Sequence, residues 1–376
     1  MWKRQRLFHA MDFQSLMYPC FTICRIFGMF PYKINASTYE SSKPHYIVST
    51  TVTCVYSVLQ LTKIYNIMIL ISKQNFEQII KGISGIIYLT LNNVVIIITY
   101  MLSSPQMHLL QTMSEISQEV SLESYQKLSR LIHAKDIFGI IFLITQVCTT
   151  FYQDKLYKLN YISMLMEVFS IYLHMFGFEI IMLYINCVCV LKACFKRIND
   201  NLIHVQRLVV NDIKSSTTGL ICHIQRNQIL LLKLKALKEW HLKVNDTVQM
   251  LNTIFGLQLL VIIVRSFTNF TFDVYSDVVR WQDGVFISFD IHYLDMLSSS
   301  TAHYALKITL LVWACQTGKN QAQEISTTVH DVLNNINDEQ IKNELQLYSL
   351  QILHHKNIFS AKGFTIDASL LTSVSN

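Results

Sequence analysis

The chain has 376 residues, of which 51% are hydrophobic and only 15% are Asp, Glu, Lys or Arg, against roughly 25% charged in an ordinary soluble domain. That shortage excludes a typical water-soluble globular protein, and the formal net charge of +6 comes without a basic tract interleaved with stacking aromatics, which argues against a nucleic-acid binder. Nine Cys are scattered; the pairs Cys20/Cys24 and Cys187/Cys189 lack a second pair at zinc-like spacing, so neither a metal site nor a disulfide framework is signalled, and all read as small buried apolar residues. Ten Gly and four Pro beside 18 Tyr and 21 Phe suit long uninterrupted helices with aromatic side chains at lipid interfaces. The fold class is therefore expected to be all-α, a polytopic helical membrane protein whose first partner is the lipid bilayer.

The start, Met1-Trp2-Lys3-Arg4-Gln5-Arg6, is basic like a signal peptide, but Arg25 interrupts the apolar stretch behind it and no small-residue cleavage site follows, so retention is expected. Phe13 to Phe30, broken by Pro19, reads as interfacial or re-entrant structure within a cytosolic segment 1–45. A spanning helix needs about 20 mostly apolar residues, and six stretches within 46–315 supply them: 46–70, 82–102, 137–153, 163–193, 250–270 and 291–315. The fourth is longer than a span and is expected to project into water. The stretch 195–248 is helical in pattern, with Leu237, Trp240, Val244, Val248 and Leu251 at spacings of three and four running into the fifth span. In the last region, 316–376, Ile341, Leu345, Tyr348 and Ile352 form a similar stripe flanked by Asp338, Glu339 and Glu344. A membrane-surface helix carries a basic polar face, so these stripes favour helix-on-helix packing beneath the bilayer, within a subunit or between subunits.

Orientation follows from Lys and Arg, which stay cytosolic in short loops. The N-terminal region, the gap after span two, the 195–248 stretch and the C-terminal tail carry 22 of them, whereas the opposite side carries 5. Leaving out the long 195–248 stretch, the balance is still 13 against 5. A cytosolic N-terminus is expected. Asn269-Phe270-Thr271 then falls outside, between spans five and six, where glycosylation is open to it, while Asn35-Ala36-Ser37 and Asn245-Asp246-Thr247 are cytosolic.

Ionisable side chains inside hydrocarbon normally face a partner, a cavity or a pore; here they are Lys63, Glu167, His174, Glu179, Arg265, Asp295, His303 and Lys307. Lys63 is expected to snorkel to the outer surface. Span six is too polar to face lipid around much of its circumference. The outer halves of spans three to six carry Gln146, Thr149, Tyr152, Tyr161, Glu167, Arg265, Asp290, His292, Tyr293 and Asp295. Such side chains stack on and hydrogen-bond to a small polar molecule, so a ligand pocket is expected there; interfacial anchoring is the competing reading of each residue. No Gly-rich phosphate loop, nucleophile elbow or zinc-protease motif occurs, and His354-His355 follows a helical stripe, so neither catalysis, a metal nor a cofactor is expected.

The C-terminal region carries a more specific pattern: Glu324-Ile325-Ser326-Thr327-Thr328-Val329-His330, then Glu344 to Leu353 including Leu350-Gln351, then Phe359-Ser360-Ala361-Lys362-Gly363-Phe364-Thr365-Ile366-Asp367-Ala368-Ser369-Leu370-Leu371. In order and spacing this resembles the tail signature of insect gustatory receptors. The start Phe13-Gln14-Ser15-Leu16-Met17-Tyr18-Pro19 resembles the branch of fructose-type, internal-nutrient and light- or heat-linked receptors. The resemblance implies a plasma-membrane, ligand-gated, nonselective cation channel of seven spans, assembled as a homo- or hetero-tetramer, with an extracellular pocket for a small-molecule tastant such as a sugar or bitter compound, and a cytosolic anchor built from the long helices and the Ile341–Ile352 stripe. It also implies a final pore helix of which only the beginning, from Ile366, is present; the chain then reads as a truncated, non-conducting or regulatory isoform, or as an incomplete gene model. A G-protein-coupled receptor would place its N-terminus outside, against the charge balance, and a transporter would show repeated halves with broken helices.

Overall fold

A computed structural model describes residues 8–30, 32–35, 38–71, 76–156, 161–214, 220–282, 291–336, 338–355, 358–361 and 364–366, with side chains described over these ranges except at 32–39, 41, 76–77, 146, 149–156, 161–167, 209–214, 220–224, 276–282, 291–300 and 364. The elements are α1 (Phe13–Ile26), β1 (Tyr32–Asn35), β2 (Thr38–Ser41), α2 (Lys43–Ile71), α3 (Phe76–Met101), α4 (Ser103–Ile116), a 3-10 turn (Ser117–Glu119), α5 (Leu122–Leu156), α6 (Tyr161–Lys214), α7 (Leu220–Gln282), α8 (Ile291–Asn334), α9 (Glu339–His354), β3 (Ser360–Ala361) and β4 (Phe364–Thr365). The helical expectation holds, with two small antiparallel hairpins added, β1 on β2 and β3 on β4.

Four helical segments in the described residues are long and apolar enough to cross a membrane: Lys43–Ile71, Gln78–Met101, Val168–Leu208 and Gln225–Tyr275. They divide sharply by surroundings. Only 6% of the most apolar window of α2 is buried by protein, whereas 89% of that of α6 is. Val55, Val58, Leu61 and Met68 of α2 therefore point away from the chain, a surface water would penalise and lipid accepts. The expected spans 137–153 and 291–315 fall within α5 and α8, whose 35 and 44 residues exceed the needed length; part of each lies outside the described side chains.

The bundle is organised around α6, against which α8 packs most extensively; α3 lies on α7, and α2 lies on α3. Polar rungs keep these pairs in register. Thr50 and Tyr100 share a hydroxyl hydrogen bond of 2.8 Å, and Ser57 donates to Asn93 Oδ1 at 3.0 Å. The steps from 50 to 57 and from 100 back to 93 are two helical turns each, as in an antiparallel pair. On the other side of α3, Gln258 Nε2 donates to Thr99 Oγ1 at 3.2 Å and Arg265 Nη1 donates to Asn92 Oδ1, again seven residues apart on both helices. Such interhelical bonds contribute on the order of 1 kcal/mol each in lipid.

Three readings of the sequence are corrected here and one unassigned gap is filled. Pro19 does not break the first segment: α1 runs through it and buries Phe13, Leu16, Met17, Cys20, Phe21 and Cys24 against α5 and α6. Six such side chains at about 1.5–3 kcal/mol each outweigh the roughly 3 kcal/mol cost of an interior Pro. Its ends are also closed, by an Asp12–Ser15 capping box and by Gly28 at φ +70°, where Gly28 N–H bonds Arg25 O and Met29 N–H bonds Cys24 O, a left-handed cap that favours glycine. Second, the gap after span two holds α4, whose buried Gln106, Leu109, Leu110 and Met113 keep helical spacing; Pro105 is tolerated in its first turn. Third, Lys63 is held by protein, donating to Ser170 Oγ at 2.9 Å. Fourth, Asn269 is no loop sequon: α7 continues past it to Gln282, and its buried amide donates to the Tyr304 hydroxyl at 3.1 Å.

At the other end of α7 the two sequence stripes meet. Val244, Val248 and Leu251 on α7 and Ile341, Leu345 and Tyr348 on α9 are all buried; α9 lies on α7 and α8, with Tyr348 edge-on to His241 at 5.3 Å between ring centres. Asp338 caps α9 by accepting from Gln340 N and Ile341 N at 3.0 and 3.1 Å, and also accepts from Asn227 Nδ2 at 2.7 Å. Lys238 pairs with Glu344, and Gln351 Nε2 donates to Lys238 O at 3.1 Å and faces His241 Nδ1 at 3.2 Å. Asn252 then clasps the chain beyond α9, accepting from Ser360 N at 3.1 Å and donating to Ile358 O at 2.6 Å. Phe359 packs so closely on Gly318 that a Cβ there would fall 2.9 Å from its ring.

His241 is fully buried in this packing, and its Nδ1 also faces Asn245 Nδ2 at 3.3 Å. Two amide donors make Nδ1 an acceptor, the neutral tautomer. Burial, and then His355 nearby, lowers its pKa from 6.5 to about 4. The unfolded chain takes up this proton first, so stability is complete above the ordinary histidine pKa and falls as pH drops through that value towards 4, by an amount on the order of 3 kcal/mol. Thermal unfolding in detergent as a function of pH should show this loss, and His241→Phe should flatten it between pH values of about 6.5 and 4.

Candidate ligand site

Of the ten residues assigned to an outer pocket, Arg265 is the one whose side chain is described. Gln146, Tyr152, Tyr161, Glu167, His292, Tyr293 and Asp295 lie on described helical backbone, but their side chains, like that of Thr149 and the whole of Asp290, lie outside the described residues. The tail residues are spread over several elements. On α8, Glu324 and His330 are exposed, while Thr328 is buried and donates to Glu324 O at 3.1 Å. On α9, Leu350 is exposed and Gln351 makes the contacts to α7 given above. Phe364 stands in β4 with its side chain outside the described set, as are Gly363, Asp367, Leu370 and Leu371.

Arg265 is 1% exposed and sits where α3, α6, α7 and α8 converge. Asn92 of α3 accepts from its Nη1, and its guanidinium carbon lies 5.6 Å from the Tyr88 ring centre, over the ring, a cation–π contact. On the α6 side there is room only because residue 177 is glycine: a Cβ there would stand 2.8 Å from Arg265 Nη2. Arg265 Nε and Nη2 have no hydrogen-bond partner among the described residues.

The neighbours of this cation are aromatic, imidazole and cationic. His174 of α6 lies against Tyr88 at 5.3 Å between ring centres and meets His303 of α8 edge-on at 5.8 Å. His303 is also flanked by Phe142 at 5.9 Å and Phe178 at 6.1 Å. One turn further along α8, Lys307 is 2% exposed and within electrostatic reach of Arg265. Neither ring nitrogen of His303 nor Lys307 Nζ has a hydrogen-bond partner among the described residues. The sequence marks His174, His303 and Lys307 as intramembrane ionisable groups but does not join them to the pocket. The missing signal was the lateral packing of α6, α7 and α8, which no single-helix pattern carries.

A buried charge in hydrocarbon costs about 2.5–3.5 kcal/mol even on the gentler scales, and two cations near one another add repulsion. Chemically the cluster offers surplus N–H donors and ring faces, suited to a polar group rich in acceptors. A cavity of about 750 Å³ lies elsewhere, between α4, α6 and α7 beside Trp240; it is lined by both signs of charge, including Glu115, Glu119, Lys233 and Lys243, and contains none of the expected ligand residues. Another three-residue group, Cys20, Cys24 and Glu179, is buried with its potential ligand atoms within 4.8 Å of one another, and Cys24 Sγ donates to Glu179 Oε1 at 3.7 Å. The hydrogen bond from Arg265 to Asn92 gives a direct stability test: Asn92→Leu should lower the unfolding free energy by about 2 kcal/mol, since it leaves a buried guanidinium without its acceptor, as measured by thermal or chemical unfolding in detergent.

This architecture has known counterparts. Residues 17–375 match the family model described as 7tm Chemosensory receptor. Among solved structures, the insect olfactory receptor OR5 from Machilis hrabei is similar, with a TM-score of 0.71 at 12% identity over 96% of this chain and 95% of that one. The structure of the same receptor in complex with eugenol gives a TM-score of 0.65 at 12% identity, with the same coverage. No curated protein sequence matches significantly. With the family model covering nearly the whole chain and the helix bundle sharing the fold of a receptor of this kind, the chain belongs to the 7tm chemosensory receptor family, the superfamily of insect gustatory and olfactory receptors.

Proposed function

We propose that the chain is a gustatory receptor subunit of the plasma membrane, N-terminus cytosolic, that forms a tetrameric ligand-gated nonselective cation channel opened by a small tastant. The observation that carries this reading is the buried polar cluster of Arg265, His303 and Lys307 at the meeting of α3, α6, α7 and α8. A packed structural core gains nothing from unpartnered donors, whereas a receptor site needs them. The expected outer residues Gln146, Tyr152, Tyr161, Glu167, Asp290, His292, Tyr293 and Asp295 would extend the same site outward. The similarity of the fold to a receptor solved with the small aromatic molecule eugenol supports a binding role.

Assembly through the anchor region is supported by the outer face of α9, where Leu347, Leu350 and Leu353 stand 54%, 52% and 68% exposed in the single chain. Exposed leucines on one helical face beyond the apolar spans suit contact with another subunit.

Two experiments test the reading. In membranes from oocytes expressing the chain, sugars, bitter compounds and small acids should include at least one that binds saturably; no binding of any of them at confirmed surface expression would contradict it. The double substitution Leu350→Glu with Leu353→Glu should convert a tetramer into monomers in native mass measurements while leaving helix content unchanged, and an intact tetramer would contradict the proposed anchor contact.

A further inference from the structure

We infer that the Arg265–Lys307 cluster recognises a carboxylate, so that the receptor's ligands are small organic acids or carry an acid group; this inference rests on the proposed receptor function and specifies its ligand class. Both cations are essentially withdrawn from solvent, at 1% and 2% exposure. Among the described residues neither forms an ion pair with an acid. Arg265 uses one nitrogen on the neutral Asn92 amide and leaves Nε and Nη2 unsatisfied, and Lys307 leaves its whole ammonium unsatisfied. The described carboxylate further along α7, Asp273, is eight residues away, about 12 Å along the helix. Two basic groups within electrostatic reach of one another, with unpartnered N–H groups and no counter-charge among the described residues, form half of a charge-assisted hydrogen-bond set, and a carboxylate, with two acceptor oxygens, completes it.

The surroundings specify the rest of the ligand. His303, Phe142 and Phe178 place three ring systems beside the cations, with ring centres 5.9 and 6.1 Å from His303, a wall for an apolar or aromatic body. Gly177 keeps α6 clear of the guanidinium on its other side. A simple sugar or a neutral bitter compound would offer hydroxyls to this wall but no negative charge to the cations.

The test uses the full chain purified in detergent, with benzoate, its uncharged isostere benzamide, and sodium chloride as probes, read by thermal shift and by equilibrium binding. Benzoate should stabilise the protein and bind roughly tenfold or more tightly than benzamide, the order expected for one charge-assisted contact, and Lys307→Met should remove that preference. Without ligand, Lys307→Met should raise the melting temperature, because an unpaired buried cation is replaced by an apolar chain of similar length; this readout does not depend on any ligand. Equal binding of benzoate and benzamide overturns the inference while leaving receptor function intact. Stabilisation by chloride alone, with no further effect of benzoate, overturns it in favour of a halide site. A lower melting temperature for unliganded Lys307→Met, matched by Glu167→Gln or Asp295→Asn, overturns it by showing that the chain supplies its own counter-charge. Absence of a shift with every acid, sugar and bitter compound tried would overturn both the inference and the receptor reading.

Discussion

Everything in this fold depends on an apolar solvent around the outer helices. In α2 an apolar helix of 29 residues has almost none of its most apolar surface covered by protein, so lipid must take the place that a hydrophobic core takes in a soluble domain. In that solvent each backbone N–H and C=O must be satisfied within its own helix, which accounts for unbroken helix through the apolar stretches; α6 and α7, at 54 and 63 residues, are longer than a span needs. The hydrophobic effect does not drive helices together in lipid. The interior is therefore held by shape and by polar rungs, such as the Thr50–Tyr100 and Ser57–Asn93 pair between α2 and α3.

The same logic makes the centre of the bundle chemically unusual. α6 is enclosed on nearly all sides, and the polar groups that α3, α7 and α8 turn towards it cannot reach water. Some of their amide nitrogens find partners: Asn186 Nδ2 bonds the Asp136 carboxylate, Asn269 Nδ2 bonds Tyr304, and Gln258 Nε2 bonds Thr99. Arg265, His303 and Lys307 do not complete theirs. The proposed ligand site is thus a place where unpartnered nitrogens on two basic side chains and a histidine lie together at a cost in stability.

Much of this was legible in the sequence, for physical reasons. Helices in lipid are written as long apolar runs, so four of the stretches read from composition overlap helical segments long and apolar enough to cross a membrane, and the α7 and α9 stripes follow from helical period alone. What failed was information that lies between segments. Pro19 carries a local helix-breaking signal, overridden by the burial of one α1 face on α5 and α6. Asn269 carries a local glycosylation signal, overridden because α7 continues and turns that side chain towards Tyr304. Lys307 lies deeper along span six than Arg265 does along span five when each is read as an isolated helix. Only the packing of α7 and α8 brings them within electrostatic reach, so the sequence marks Arg265 but not the company it keeps.

The central claim is that lipid, not water or another protein domain, covers the outward face of α2 while the centre of the bundle is closed to it. Spin labels placed one at a time at Val58 and Leu61, both outward on α2, in protein reconstituted into bilayers, test this through collision with dissolved oxygen and with a water-soluble nickel chelate. The account expects both labels to be relaxed strongly by oxygen and hardly at all by the chelate. Labels relaxed strongly by the chelate would contradict it.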